Sequence, residues 1–99
     1  IARNRALFTK NGRITITNAK YERDFSPIEE DCNCYTCKNY SKAYLRHLFK
    51  AGEILSSVLA TIHNLYFISN LINEVKKAII DNRFLGFVSE FTQNYESGD

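Results

Sequence analysis

Short stretches of alternating apolar and polar residues near the N-terminus predict a β-hairpin. Its strands are residues 7–9 and 14–17, connected by Lys10-Asn11-Gly12-Arg13. The Asn-Gly pair tolerates positive φ values, so the pattern predicts a type I′ turn. Residues 26–29 read Ser-Pro-Ile-Glu. This capping box, with proline at the first helical position, predicts a short helical turn that leads to Cys32.

Later in the chain the apolar residues recur at spacings of three and four, which is typical of helices. The pattern predicts a first helix over residues 38–50, ending near Gly52, and a long second helix over residues 53–81. The buried face of the second helix is predicted to be Leu65, Ile68, Ile72, Val75 and Ile79. Asp81-Asn82 should end that helix, and a last helix is predicted over residues 84–95. Its inward residues are expected to be Phe84, Phe87, Val88 and Phe91.

These elements predict one small α+β domain with an N-terminal β-hairpin, a cysteine-rich knuckle and three helices. We divide it into residues 1–31 (the hairpin and the approach to the knuckle), 32–63 (the knuckle to His63) and 64–99 (the closing helices). A hydrophobic content of 44% with 13% aromatics favours a packed fold over disorder. We expect neither a bilayer-spanning apolar run nor a signal peptide. The chain has no methionine, so we expect it to be part of a longer protein.

Three cysteines within six residues, Cys32, Cys34 and Cys37, are the strongest chemical signal, and His63 lies farther along the chain. Three thiolates and one imidazole are the ligand set of a closed tetrahedral zinc site. An odd number of clustered cysteines cannot all pair within the chain, which disfavours disulfides and points to a reducing cytosol. Four protein ligands leave no position for water, so the site is predicted to be structural rather than catalytic.

Two alternatives to this ligand set remain open from the residues alone. His47, on the first predicted helix, is the other candidate for the fourth ligand. The cysteines can also be three free buried thiols beside an unrelated histidine. Cys37 is predicted at the start of the first helix, where the helix dipole favours a thiolate.

Net charge is only +2, but the basic residues are concentrated in two stretches without acids. One is residues 1–20, and the other is a row at spacings of four on the first predicted helix: Lys38, Lys42, Arg46 and Lys50. Such rows can contact phosphates without sequence choice, which suggests an anionic partner. The alternative is a solvated helix exterior. The C-terminal stretch, residues 81–99, is acidic.

Tyr40, Tyr44 and His47 line an adjacent face of the same predicted helix, at spacings of four and three. These side chains either belong to the core or form an aromatic patch for a partner subunit. Leu45 and Leu48 are better candidates for the side that faces the core.

Several short motifs are recognisable in the chain: Ala2-Arg3-Asn4, Leu7-Phe8-Thr9, Asn18-Ala19-Lys20-Tyr21, Asp24-Phe25-Ser26-Pro27, Cys32-Asn33-Cys34-Tyr35-Thr36-Cys37-Lys38-Asn39, Ala43-Tyr44-Leu45-Arg46-His47-Leu48-Phe49-Lys50-Ala51 and Thr61-Ile62-His63-Asn64-Leu65. Together they resemble the C-terminal part of bacterial tRNA-guanine transglycosylases, also called queuine tRNA-ribosyltransferases. The similarity runs from Ala2 to about Tyr95, and the cysteine motif with the downstream Ile-His-Asn is its most specific part.

The resemblance implies a TIM-barrel parent enzyme with a zinc subdomain inserted near its C-terminal end and a final helix that completes the barrel. It implies Zn²⁺ held by Cys32, Cys34, Cys37 and His63, in agreement with the spacing. Family members exchange the wobble guanine of tRNAs with GUN anticodons for a 7-deazaguanine, in bacteria 7-aminomethyl-7-deazaguanine, a precursor of queuosine. Their aspartate nucleophile and second aspartate lie outside this segment, so no catalytic residue is expected here.

By the same resemblance, Ile1, Ala2 and Arg3 are the remainder of an element that helps recognise the wobble base. Lys42 and Arg46 of the basic row are the further candidates for tRNA contact.

Bacterial members of this family are generally homodimers whose contact involves the subdomain and its aromatic helix. This favours Tyr40, Tyr44 and His47 as interface residues. Arg5 departs from the family, which commonly has glycine there, and its cation suits a phosphate contact better than a tight turn.

Our leading hypothesis is therefore that the chain is the C-terminal part of a cytoplasmic tRNA-guanine transglycosylase. In it zinc shapes a platform for the tRNA anticodon arm, the barrel binds the 7-deazaguanine, and the segment alone is inactive. One alternative is a free-standing zinc-stabilised module that binds RNA or protein without catalysis. Another is a dimerisation and stability element with little RNA contact.

Overall fold

A computed structural model of the chain describes residues 6–95, which form two strands and four α-helices. The elements in chain order are β1 (Ala6–Thr9), β2 (Gly12–Thr15), a single 3₁₀ turn (Ala19–Tyr21), α1 (Tyr35–Asn39), α2 (Lys42–Lys50), α3 (Ile54–Ile80) and α4 (Phe84–Asn94). The α+β class predicted from the sequence is confirmed.

The predicted hairpin is present, but its turn differs from the prediction. β1 and β2 pair antiparallel with Leu7 opposite Ile14 and Thr9 opposite Gly12, so the two loop residues are Lys10 and Asn11. A type I′ turn requires positive φ at both loop residues. In this hairpin only Gly12 has a positive φ, at 134°. The type I′ prediction is therefore wrong, because glycine takes the unusual backbone conformation at the end of the loop rather than within it.

The capping box predicted at residues 26–29 does not start a helix, and the segment is irregular. The Ser26 hydroxyl donates to the Asp24 carboxylate and accepts from the ammonium of Lys42. The Glu29 carboxylate accepts from the backbone N–H of Lys10 at 2.8 Å. Both side chains that would have capped a helix are thus engaged by other parts of the fold.

The first predicted helix is divided into α1 and α2 at Tyr40, whose backbone is extended with φ −135° and ψ 148°. Ser41 begins α2 because its side chain accepts a hydrogen bond from the Tyr44 N–H at 3.1 Å. The end of α2 matches the prediction: Gly52 has φ 72° and its N–H bonds back to the Phe49 carbonyl at 3.2 Å. The break places Lys38 on a different helix from the other members of the basic row.

The long helix predicted from periodicity is α3, and its bounds agree to within one residue at each end. It ends at Asn82, which has φ 58°, while the Arg83 N–H bonds to the Ala78 carbonyl at 2.8 Å. This ending is a Schellman motif, in which a residue in the left-handed conformation ends the helix; here that residue is asparagine rather than glycine. The prediction that Asp81-Asn82 ends the helix is confirmed.

Four of the five residues on the apolar face predicted for α3 are exposed and Val75 is half-buried, which corrects the expectation of burial. Leu65 is 62% exposed, Ile72 50% and Ile79 59%. The buried side of α3 is a different one: Ser56, Leu59, Ala60, His63 and Ala78. Nor does α4 bury any residue; Phe84 and Val88, predicted inward, are exposed, and Phe87 and Phe91 are half-buried. The periodicity identified a real apolar face, but residues 6–95 provide no cover for it.

The helix α3 has 27 residues, and by length and composition it could cross a bilayer, since an 18-residue stretch within it has a mean hydropathy of 1.3. The expectation that no apolar run has this length is therefore wrong. Its N-terminal half, however, holds the buried His63 at the centre of the fold and packs on the hairpin, α1 and α2. The core lies on that side of α3 and consists mainly of aliphatic residues and two cysteines: Leu7, Ile14, Ile16, Tyr21, Ile28, Cys34, Cys37, Leu45, Leu48, Leu59 and Ala60.

Candidate metal centre

The four side chains predicted to bind zinc meet at one point in the core. The Nδ1 atom of His63 lies 3.7 Å from the sulfur of Cys32, 3.5 Å from that of Cys34 and 3.4 Å from that of Cys37. All four ligating atoms lie within 4.8 Å of one another. Among the described residues this is the only group of three or more such side chains arranged to hold a metal ion.

The knuckle is shaped by the start of α1. Cys34 is the N-cap of this helix, and its sulfur accepts a hydrogen bond from the Cys37 N–H at 3.3 Å. Cys37 lies one turn into α1, so both sulfurs face the same side, and Cys32 lies in the irregular segment before the cap. The prediction that Cys37 lies at the helix start is corrected, because the N-cap of α1 is Cys34.

His63 reaches the knuckle from the buried side of α3 and is fully buried. Its Nε2 lies 2.7 Å from the carbonyl oxygen of Phe8 on β1. A carbonyl oxygen accepts only, so Nε2 carries the proton and donates it to Phe8. The Nδ1 lone pair is then free to face the three sulfurs, which is the tautomer that a metal ligand requires.

These distances fit a tetrahedral zinc ion. With Zn–S bonds of about 2.3 Å and Zn–N bonds of about 2.0–2.1 Å, a tetrahedron places sulfur and nitrogen about 3.5 Å apart. The observed separations of 3.4–3.7 Å fall around this value. Soft thiolates with one imidazole suit zinc better than the hard cations, which prefer oxygen.

The electrostatics of the site also favour a bound cation. Burial raises the pKa of the Cys32 and Cys37 thiols, although the backbone amides of Cys34 and Glu29 oppose this effect. Burial also lowers the pKa of His63, which keeps its imidazole neutral at physiological pH. The thiolates therefore need a positive charge among them to exist, and a divalent metal supplies it. With four protein ligands and almost no solvent access, the site suits a structural role.

This geometry bears on both alternatives for the ligand set. His47 is exposed on α2, with its ring centroid 6.4 Å from that of Tyr44, and it takes no part in the cluster. The three cysteines form no disulfide, and His63 faces all three, so this histidine belongs to the cluster.

Two of the residues predicted to contact RNA, Lys42 and Arg46, form hydrogen bonds within the fold and are not free surface cations. The Lys42 ammonium lies 3.3 Å from the Asp24 carboxylate and 2.9 Å from the Ser26 hydroxyl. Arg46 donates from Nε to the Asn18 carbonyl at 3.2 Å. Ile1, Ala2 and Arg3 lie outside the described residues.

The predicted interface residues form an aromatic row that is longer than expected. The rings of Tyr40 and Tyr44 are stacked, with centroids 5.6 Å apart and planes at 14°. Tyr35 extends the row, with its centroid 6.0 Å from that of Tyr40. Tyr35 and Tyr44 are both exposed. Tyr35 is not among the predicted interface residues, because only the break at Tyr40 brings it alongside and helical spacing does not predict that break.

Two further polar residues hold the site together and were also missed. Thr36 is fully buried, and its hydroxyl donates to the Leu59 carbonyl at 2.7 Å, which fastens α1 to α3. Asn64 bonds to β1 through both ends of its side-chain amide. Their only sequence signal was position, since Thr36 directly precedes Cys37 and Asn64 directly follows His63.

Comparison with known proteins supplies the context for this site. The family model described as queuine tRNA-ribosyltransferase matches residues 1–97. Curated proteins named queuine tRNA-ribosyltransferase are similar to the chain: that of Macrococcus caseolyticus is 56% identical over 95 residues, and that of Thermoanaerobacter sp. (strain X514) is 54% identical over 95 residues. A third, from Staphylococcus haemolyticus, is 53% identical over 95 residues.

In each of these three comparisons the alignment covers 96% of this chain and 25% of the relative. The chain therefore spans about a quarter of the length of the curated relatives that it matches.

Proposed function

Because this chain belongs to the queuine tRNA-ribosyltransferase family, we propose that it is the C-terminal part of a tRNA-guanine transglycosylase. The parent enzyme exchanges the wobble guanine of tRNAs with GUN anticodons for 7-aminomethyl-7-deazaguanine, on the route to queuosine. The family match over residues 1–97 is the observation that carries this proposal. The names of the relatives support the enzyme over a free-standing, non-catalytic zinc module.

The metal in this proposal is Zn²⁺, held by Cys32, Cys34, Cys37 and His63. Its role is to fix the knuckle, the hairpin and α3 relative to one another. Apparent zinc-binding free energies of about 10–16 kcal/mol in small modules are comparable with the total stability of a domain of this size. Four protein ligands would leave a tetrahedral ion no open position for substrate, so the ion would supply rigidity rather than chemistry.

The exposed apolar face of α3 and α4 supports a larger parent. Isolated apolar side chains are common on protein surfaces, but a long helix with one continuous apolar face is not. Ile68 and Ile72 on α3, with Phe84 and Val88 on α4, are all exposed. We propose that the remainder of the parent, a TIM barrel, covers this face and that α4 closes the barrel.

The parent's contact with tRNA is proposed to use Ile1, Ala2 and Arg3 near the wobble base, with Arg46 and Lys42 near the anticodon arm. Arg46 is the better of the two candidates for phosphate, because Lys42 is only 15% exposed and already neutralised by Asp24. A guanidinium that donates one hydrogen bond to Asn18 keeps further donors for a phosphate.

The parent is proposed to be a cytoplasmic homodimer, with Tyr40, Tyr44 and His47 at the subunit contact. Stacked, partly exposed aromatic rings are typical of the centres of protein interfaces. Tyr35 belongs to the same aromatic row and joins them in this proposal.

The aspartate nucleophile and its acid–base partner belong to the missing part of the parent, so this segment has no catalytic residue and is inactive alone. The test is incorporation of radiolabelled guanine into unmodified tRNA by the full-length parent. Exchange is expected with a tRNA whose wobble base is guanine and not with a matched tRNA that has another base there. Failure of an intact, zinc-loaded parent to exchange guanine would refute the proposal.

A further inference from the structure

Two consecutive residues of α3, His63 and Asn64, bind the backbone of β1. The Phe8 N–H donates to Oδ1 of Asn64 at 3.1 Å, and the Asn64 amide donates from Nδ2 to the Ala6 carbonyl at 3.0 Å. His63 donates from Nε2 to the Phe8 carbonyl at 2.7 Å. The N–H and the C=O of Phe8 are therefore both bound by neighbouring side chains of one helix.

These contacts occupy the outer edge of the hairpin. β1 pairs with β2 along its other edge, where Leu7 lies opposite Ile14. Edge strands leave a row of N–H and C=O groups without partners unless another element covers them. The Asn64 amide, with one donor and one acceptor, matches the two β1 groups in the way that a neighbouring strand would. The rings of Phe8 and Phe67, 5.9 Å apart, add an apolar contact between the same two elements.

We propose that Asn64 is a positioning residue for the metal site: it holds β1 so that the Phe8 carbonyl stays on Nε2 of His63 and Nδ1 faces the sulfurs. Zinc occupancy is thereby coupled to the order of the hairpin. This inference rests on the zinc site of the proposed function and adds to it a residue that is not a ligand.

The physical reason is the orientation of the imidazole. A ligating histidine is fixed in tautomer and direction by the acceptor on its other nitrogen, and loss of such a partner lowers metal affinity about 10–100-fold. The acceptor of His63 is a backbone carbonyl on a four-residue strand. Its position depends on what holds that strand, and Asn64 supplies two of the hydrogen bonds that do so.

Coupling between two sites is reciprocal. If an ordered β1 strengthens zinc binding, then bound zinc strengthens the attachment of β1 to α3. The Phe8 amide proton, which is bonded to Asn64, reports on this attachment directly.

The experiment uses the full-length parent with Asn64→Ala and, as a matched control, Asn70→Ala, which removes an exposed asparagine on the same helix. Zinc affinity is measured by competition with a chromophoric chelator. Asn64→Ala is expected to lower the affinity about 10–100-fold, whereas Asn70→Ala leaves it unchanged. Asn64→Asp keeps an oxygen for the Phe8 N–H but loses the donor to Ala6, so its affinity should fall between the two.

A second measurement needs no variant and stands even if Asn64→Ala fails to fold. Zinc is removed from the wild-type parent, and hydrogen exchange is followed by mass spectrometry in peptides covering residues 6–9 and residues 70–77. Exchange at residues 6–9 is expected to accelerate more than exchange in the control peptide. Equal zinc affinity in Asn64→Ala and wild type, or equal acceleration in the two peptides, would overturn the inference.

These outcomes are separable from those of the proposed function. If the wild-type parent exchanges guanine but Asn64→Ala binds zinc normally, only the positioning role fails. If zinc affinity depends on Asn64 but the parent exchanges no guanine, the reaction is wrong and the positioning role stands.

Discussion

The hydroxyl of Thr36 offers a direct way to test how the two halves of the metal site are joined. Thr36 lies on α1 beside Cys37, and its hydroxyl donates to the carbonyl of Leu59, one turn before His63 on α3. Replacing threonine with valine removes this hydrogen bond and keeps nearly the same shape. Replacing it with serine keeps the hydroxyl and removes a methyl group from a fully buried position.

The expected loss of stability depends on which hydrogen-bond partners each substitution leaves in place. The Leu59 carbonyl lies inside α3, so it keeps its helical partner, and no buried acceptor is orphaned by Thr36→Val. The cost is then the net value of one hydrogen bond, about 0.5–1.5 kcal/mol, rather than the larger penalty for an unsatisfied group. Thr36→Ser should cost about 1 kcal/mol, from the lost methyl burial and a small cavity.

Thr36→Val and Thr36→Ser are expected to lose similar stability but to differ in zinc affinity. If the hydroxyl keeps α1 at the correct distance from α3, then about 1 kcal/mol lost by Thr36→Val appears as roughly fivefold weaker zinc binding. Thr36→Ser retains the bond and should bind zinc almost as wild type does. The assay is chelator competition on the full-length parent, with thermal unfolding recorded in parallel.

The reasoning fails if Thr36→Val binds zinc as tightly as wild type while Thr36→Ser binds it more weakly. That order would mean that methyl packing, and not the hydrogen bond, positions α1. Equal weakening in both variants would equally refute a specific role for the hydroxyl.

Three further predictions concern the ligands, the charge pair and the tRNA surface. Cys34→Ser keeps a good helix N-cap and removes only the thiolate, so the purified parent should contain less than one zinc per chain by metal analysis. The loss of zinc affinity should exceed the about 10–100-fold expected when a residue that only hydrogen-bonds to a ligand is replaced. The Ser26 hydroxyl and the Lys42 ammonium lower the pKa of Asp24 below its ordinary 3.8, so its ionised form is favoured by folding. Asp24→Asn should therefore destabilise the protein by about 0.2–1 kcal/mol at neutral pH. Thermal unfolding of wild type and Asp24→Asn should show the full difference in stability above about pH 4. The difference should disappear as pH falls through the lowered pKa of Asp24, and a difference that stays constant with pH would contradict this role of Asp24. Arg46→Ala should weaken tRNA binding and make its salt dependence shallower by about one phosphate contact. The assay is a filter-binding titration with Lys76→Ala, an exposed lysine on α3, as the comparison; unchanged binding of Arg46→Ala would remove Arg46 from the contact surface.

Residue patterns identified the metal ligands because ligand chemistry is a property of the side chains themselves. Cys32, Cys34 and Cys37 are close in sequence, so their meeting needed only a local turn. The choice of His63 over His47 depended on how α2 and α3 pack, which the residues left open. Thr36 and Asn64 gave no chemical signal, because a single buried threonine or asparagine has meaning only when its partner carbonyl is known.

Helix prediction succeeded where the determinants were local and failed where they were not. The end of α3 at Asn82 follows from a residue that tolerates positive φ. The irregular segment at residues 26–29 depends on two tertiary partners, Lys42 and Lys10, which bind the side chains that would have capped a helix. At the break after Tyr40, the Lys42 N–H donates to the Ser26 carbonyl, a distant partner that helical spacing does not reveal. Periodicity found the apolar face of α3 but placed it in the core, since it cannot tell which other chain elements will cover a face.

His63 and the exposed apolar face lie on the same helix, α3, so the metal site and that face are connected through it. Residue 79, on the exposed apolar face, is 16 residues farther along, which is about 24 Å at 1.5 Å per residue. A tilt of about 10° at His63 would therefore displace the far end of α3 by about 4 Å, a distance that a close-packed core cannot absorb. In the proposed parent, a metal ion held by His63 would in this way affect how the apolar face meets the rest of the protein. Under the proposed function, the metal site would fix the direction of α3, and the uncovered face, on the same helix, would carry that direction to the surface that it meets.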